Sequence, residues 1–263
     1  MNSRSLLTQA RRIVVKAGTS ILTDDSSRVS HKKFALLGSG ILKMIKSKRQ
    51  IVLVSSGAIA YGMDAAGLKE RPKEMARLQA CAAIGQGKMM HAYEQFFLRK
   101  GIQTAQVLLT RDGLETRNRF LAARDTMEEL LNMKTLPIVN ENDTVATEEI
   151  KFGDNDILSV HVAHVIKADL LVILSDVEGF FLRDGSRVRE VHSVSEIDNE
   201  LVKHLKDVPK EKTVGGMKAK LEAARVAMKL GVPLMLVSGH TKEILSRVTK
   251  GEDVGTLFMP DRE

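Results

Sequence analysis

Two lysines stand in glycine-rich surroundings that suit phosphate. Lys16 runs into Ala17-Gly18-Thr19-Ser20, and Lys220 lies one turn inside a helix opened by Gly215-Gly216. Glycine lets backbone N–H groups approach an anion closely, and a helix N-terminus favours negative charge. Ser55-Ser56-Gly57-Ala58 offers a third small, polar turn of the same kind. Carboxylates and amides cluster in Asn140-Glu141-Asn142-Asp143 and in Gly153-Asp154-Asn155-Asp156. Asp154 suits the N-cap of the helix expected over 157–167, which leaves Asn155 and Asp156 to orient cations or a substrate amine. Ser175-Asp176 closes a further apolar run. Each segment alone is ordinary turn chemistry. Neither a Walker A pattern nor G-x-G-x-x-G occurs, so the two standard phosphate loops are excluded.

What makes these turns a candidate site is the elements that carry them. Ile13-Val14-Val15, Ile51-Val52-Leu53-Val54, Val107-Leu108-Leu109, Leu136–Val139, Leu170–Leu174 and Leu234–Val237 are short apolar runs that read as buried strands. Between them lie helical patterns, such as the stripe Phe34, Leu37, Ile41, Met44 and Ile45. Residues 73–99 read as helix with a break near Gly85-Gln86-Gly87. Apolar strands separated by helices predict an α/β fold with a mainly parallel sheet covered on both faces. In such sheets ligands bind beyond the carboxyl ends of the strands, where the polar segments fall.

Composition narrows the function classes. The 263 residues carry a formal charge of +7, which favours anionic partners, either nucleic acid or a phosphorylated small molecule. Part of that excess is local, because Lys203 to Lys220 holds six lysines against Asp207 and Glu211 and reads as a loop entering a helix. Aromatics are 4% and Trp is absent, so no stacking platform for nucleic acid is visible. No apolar run reaches the roughly 18 residues of a membrane span, and no secretory leader is apparent. Cys81 is the only cysteine and sits in an apolar helical context, consistent with a structural role and a cytoplasmic setting. His161 and His164 share a helical face but lack partners at zinc spacing. The 12 methionines read as core fillers.

Taken in order, the motifs resemble the glutamate 5-kinase family of the amino-acid kinase superfamily. The likeness rests on Val15–Ser20, Val54-Ser55-Ser56-Gly57-Ala58-Ile59, Leu108-Leu109-Thr110-Arg111, Asn140–Asp143, Gly153–Asp156, Gly215-Gly216-Met217-x-x-Lys220 and Val254-Gly255-Thr256-Leu257-Phe258. It implies a three-layer α/β/α sandwich, one kinase domain over 1–263 with its core at 12–258, and no C-terminal PUA domain. It also implies ATP-dependent phosphorylation of the γ-carboxylate of L-glutamate, the first step of proline biosynthesis.

Carried over to this chain, the resemblance makes Lys16, Lys220 and Asp156 catalytic. It places glutamate at Ser56, Asp143 and Asn155, with Asn140 and Asp154 close by. ATP is assigned to Lys16, Gly18, Ser175, Asp176 and the run Val214, Gly215, Gly216, Met217, Lys218, Ala219, Lys220. Val214 and Lys218 stand where relatives carry small or hydroxylated residues. Mg²⁺ is expected to ride on the ATP phosphates without a protein cage. Further expectations are inhibition by proline, a homodimer or homotetramer, coupling to glutamyl phosphate reductase, and no membrane or nucleic-acid partner. The nearest alternative is another amino-acid kinase, acting on acetylglutamate, aspartate or carbamate.

Overall fold

A computed structural model describes residues 3–24, 28–110, 113–114, 116–145, 155–205 and 216–261. After a short helix α1 (Ser5–Gln9), the chain enters β1 (Arg12–Ala17), whose last five residues are all buried. Helix α2 (His31–Lys46) starts at Ser30, whose hydroxyl accepts from the backbone of Lys33, and carries Lys43 and Lys46 in its last turn. Both features suit the helix dipole and its open N–H groups. There follow β2 (Gln50–Ser55), α3 (Ala58–Ala65), α4 (Met75–Leu98), β3 (Thr104–Leu109), α5 (Arg117–Asn132) and β4 (Leu136–Glu141). The second part contributes α6 (Asn155–Val165), β5 (Leu170–Ser175), β6 (Glu190–Val191), α7 (Met217–Lys229), β7 (Leu234–Ser238), α8 (Ile244–Thr249) and β8 (Thr256–Phe258).

The strands form one sheet in the order β3-β4-β2-β1-β5-β7-β8-β6. Five strands run parallel to one another through β1, in a register of Lys16 beside Val54 and Ile173. β7 joins them in parallel beside β5, β6 pairs in parallel with β8, and among the described strands the β7–β8 pair alone is antiparallel. β1 sits centrally because the chain first builds outward through β2 and later returns to add β5 on the other side. Such a reversal opens a crevice at the carboxyl edge. Apolar side chains alternate between two cores: Ile13, Val15 and Ala17 face α2, α4 and α8, whereas Val14 faces α6 and α7. With a period of two, Lys16 shares the face of Val14 and ends that row against the start of α6.

Two expectations need correction. Helix α4 runs unbroken through Gly85-Gln86-Gly87. Gly85 is a contact position rather than a breaker: a methyl group there would overlap the carbonyl of Ala58 on α3, and one on Gly62 would overlap that of Cys81. The methionines are also not all core fillers, since Met133 is 65% exposed at the end of α5. The α6 helix begins at Asn155, two residues before the expected start. Its expected cap, Asp154, lies outside the described residues, as do Val214 and Gly215.

Candidate active site

At the carboxyl edge of β1 two ammonium groups share one carboxylate. Lys16 Nζ lies 2.6 Å from Asp156 Oδ1, and Lys220 Nζ lies 3.3 Å from Asp156 Oδ2. Asp156 is 1% exposed and Lys16 5% exposed. Burial opposes ionisation of Asp156, but the two lysines outweigh it and hold the carboxyl below the usual carboxylate range. Three elements meet here: the end of β1, the first turn of α6, and the first turn of α7. Asp156 suits a helix N-terminus on its own account. Lys220 also donates to the carbonyl of Gly216, while Lys218 is exposed to solvent. Gly18 stands beside the cluster, where a Cβ would lie 3.5 Å from Lys16 Nζ.

On the β2 and β4 side lies a set of buried amides and hydroxyls. Asn155 Nδ2 donates to Asn140 Oδ1 at 2.8 Å, to Ser56 Oγ at 3.0 Å and to the Ser55 carbonyl at 3.3 Å. Asn140 Nδ2 in turn donates to Gln86 Oε1 at 2.9 Å. Ser56 is placed by its backbone N–H, which donates to the Ala17 carbonyl, and by Gly57, whose φ of 114° turns the chain into α3. Ser55 Oγ shares a hydrogen bond of 2.8 Å with the phenol of the fully buried Tyr93, pinning the strand end to α4. Asp143 follows in the turn after β4. Burial pushes its carboxyl up to about 6, and the Arg71 guanidinium pulls the other way.

On the β5 and β7 side, the Ser175 carbonyl accepts from the N–H of Gly239. Asp176 Oδ1 lies 3.0 Å from His240 Nε2. Burial opposes its ionisation, yet hydrogen bonds from His240 and Ser20, with the charges of His240 and Lys220, hold it low.

The residues singled out in the sequence therefore fall into three adjoining groups. Lys16, Asp156 and Lys220 lie centrally, Ser56, Asn140 and Asn155 on one side, and Ser175 and Asp176 on the other. Gln86, Tyr93 and His240 escaped the sequence reading. The first was hidden in a supposed helix break, and the other two carry no local motif. Chemically, the central group offers cations for phosphoryl oxygens rather than acids for a bare metal ion, because both oxygens of Asp156 are taken by lysines.

The chain is similar to known proteins over most of its length. The amino acid kinase family matches residues 11–238. Glutamate 5-kinase of Geobacter metallireducens is 43% identical over 262 residues, covering 98% of this chain and 70% of that protein. Its counterpart in Pelobacter propionicus is 44% identical over 260 residues, covering 98% and 70%. Among solved structures, carbamate kinase from Giardia lamblia bound to AMP-PNP superposes with a TM-score of 0.66 at 18% identity, covering 97% of this chain and 100% of that one. UMP kinase from Bacillus anthracis gives 0.63 at 16% identity, covering 96% and 97%. These two share the fold alone. The sequence relatives go further, and the chain belongs to the glutamate 5-kinase family of the amino acid kinases.

Proposed function

We propose that this chain transfers the γ-phosphoryl group of ATP to the side-chain carboxylate of L-glutamate, yielding L-glutamyl 5-phosphate and ADP. The observation that carries the reading is the buried Lys16–Asp156–Lys220 cluster beside the Ser56–Asn140–Asn155 amides, in a chain of this family. The acceptor carboxylate, with an ordinary pKa of about 4.3, is ionised at neutral pH and needs no general base. One of its oxygens forms a bond to the γ-phosphorus as the bond from that phosphorus to the ADP oxygen breaks. No proton moves. Catalysis is then positioning and charge stabilisation. Lys16 and Lys220 donate to the phosphoryl oxygens in transit, and Asp156 keeps both ammonium groups in place before the nucleotide arrives. Mg²⁺ accompanies the ATP phosphates and neutralises part of their charge.

Ser56, Asn140 and Asn155 orient the carboxylates of glutamate, and Asp143 compensates its α-ammonium group. Asp154 belongs to the same proposed set. Gly18, Ser175 and Asp176 serve ATP, together with the segment from Val214 to Lys220. Proline carries the same α-carboxylate and an ammonium centre, so it is proposed to compete for the glutamate positions. We further propose one kinase unit, a homodimer or homotetramer in the cytoplasm, and delivery of the labile acyl phosphate to a reductase. No described helix is long and apolar enough to cross a membrane.

The test is ATP turnover with L-glutamate, N-acetyl-L-glutamate and L-aspartate, trapping the acyl phosphate as a hydroxamate. Hydroxamate from glutamate is expected. Preferential turnover of either other acid would replace the reading with that of a sister kinase.

A further inference from the structure

We propose that Gln86 is a substrate-selecting residue, its side-chain Nε2 donating a hydrogen bond to the α-carboxylate of the amino-acid acceptor at the end of the Ser55–Asn155–Asn140 amide row. The orientation of every amide in that row follows from one backbone group. The Ser55 carbonyl can only accept, so the Asn155 atom 3.3 Å from it is Nδ2. That same nitrogen donates to Asn140, which therefore presents Oδ1 to it and Nδ2 to Gln86. Gln86 must answer with Oε1, which leaves Nε2 as the free end of the row. Nε2 is buried and has no hydrogen-bond partner. A buried donor left unmet is costly and uncommon, so a ligand acceptor at this point is favoured.

The position identifies which acceptor. The reacting γ-carboxylate must lie by Lys16, on β1. Gln86 reaches the site over β4, two strands away, so it meets the opposite end of the substrate. An N–H donor cannot serve an ammonium group, and the acceptor at that end of an amino acid is its α-carboxylate. The residue is held there by the α3–α4 crossing, where Gly62 and Gly85 let the two backbones meet. This role rests on reading the site as a glutamate kinase.

Gln86→Glu keeps the oxygen that Asn140 requires and replaces the donor with an anion, while Gln86→Met removes both polar atoms at similar size. Steady-state ADP release is measured with glutamate and ATP varied in turn, beside thermal melting. The expected result is a glutamate KM raised about tenfold or more, further in Gln86→Glu than in Gln86→Met. In both variants kcat and the KM for ATP stay within about threefold, which a general loss of packing would not allow. A glutamate KM unmoved in both variants overturns the role. So does a joint shift of kcat, both KM values and melting, or failure of both variants to fold, since each makes Gln86 structural. Wild-type protein that does not turn over glutamate would overturn the reading of the site and Gln86 with it. Normal wild-type turnover with an unmoved KM overturns Gln86 alone.

Discussion

At the scale of single residues, the site divides its labour by charge. Asp156 lies between two lysines, and removing Lys220 leaves the Asp156–Lys16 pair intact at 2.6 Å. Lys220→Ala is therefore expected to fold and bind glutamate, with kcat lowered about 10²-fold or more and a smaller change in glutamate KM. Equal losses in both parameters would make Lys220 a binding group only. Asp143 predicts a pH effect of defined sign. Its carboxyl is pushed up to about 6 by burial, so below that pH the folded protein carries the neutral acid. In its proposed role, the charge that answers the substrate ammonium is present above pH 6 and lost below it. Glutamate KM should rise roughly tenfold per pH unit under that value. Asp143→Asn should give a high KM that is flat from pH 5 to 8, and a flat wild-type profile would remove Asp143 from the site. Most charged members were legible in the sequence, because acids, amides and lysines stood together at strand ends. The choice of Lys220 on the Gly216 helix rested on the resemblance, because side-chain direction at a helix start depends on how the helix docks and local spacing does not show it. Lys218 points to solvent and Lys220 to Asp156.

At the scale of elements, the α3–α4 crossing holds the amide row in place. Both contact glycines lie where any side chain would meet backbone of the facing helix. Gly62→Ala must therefore spread the helices, at a cost of about 1–3 kcal/mol. Because Gln86 rides on α4 while Lys220 and His240 sit beyond β1, glutamate KM should rise and the KM for ATP should stay put. Urea unfolding with paired KM measurements checks this, and a rise in ATP KM of the same size would refute the separation. The strands buried on both faces were legible as apolar runs, and α2 as a stripe. The tight crossing was not. A glycine inside a helical pattern looks like an entropic cost from its neighbours in sequence, whereas its use at Gly85 depends on a carbonyl 27 residues away. β6 and β8 also escaped notice, since strands of two and three residues exist only through pairing at the sheet edge.

At the scale of the whole molecule, the proposed function has the sheet order sort the two substrates. Ser55 closes β2 and Asn140 lies on β4, Asp176 follows β5 and His240 follows β7, and β1 brings Lys16 between them. The N-terminal segment is locked into the far edge by Arg4, which donates to the carbonyls of Glu252 and Val254 and pairs with Glu190. Strand spacing is fixed by the backbone hydrogen bonds of the sheet, and that spacing acts as a gauge. Neighbouring strands lie about 4.8 Å apart, so Lys16 on β1 and Asn140 on β4 are separated by two fixed steps. An acceptor clamped at one end over β4 is thereby measured against the phosphoryl group at the other. Aspartate, shorter by one methylene, would stop about 1 Å short of the reacting position, a misplacement that costs about 10²-fold. Its kcat/KM relative to glutamate should fall by at least that factor, and near-equal values would mean the acceptor is not held at both ends. Chain length in the substrate is then discriminated by hydrogen-bonded backbone, the stiffest calliper a protein possesses.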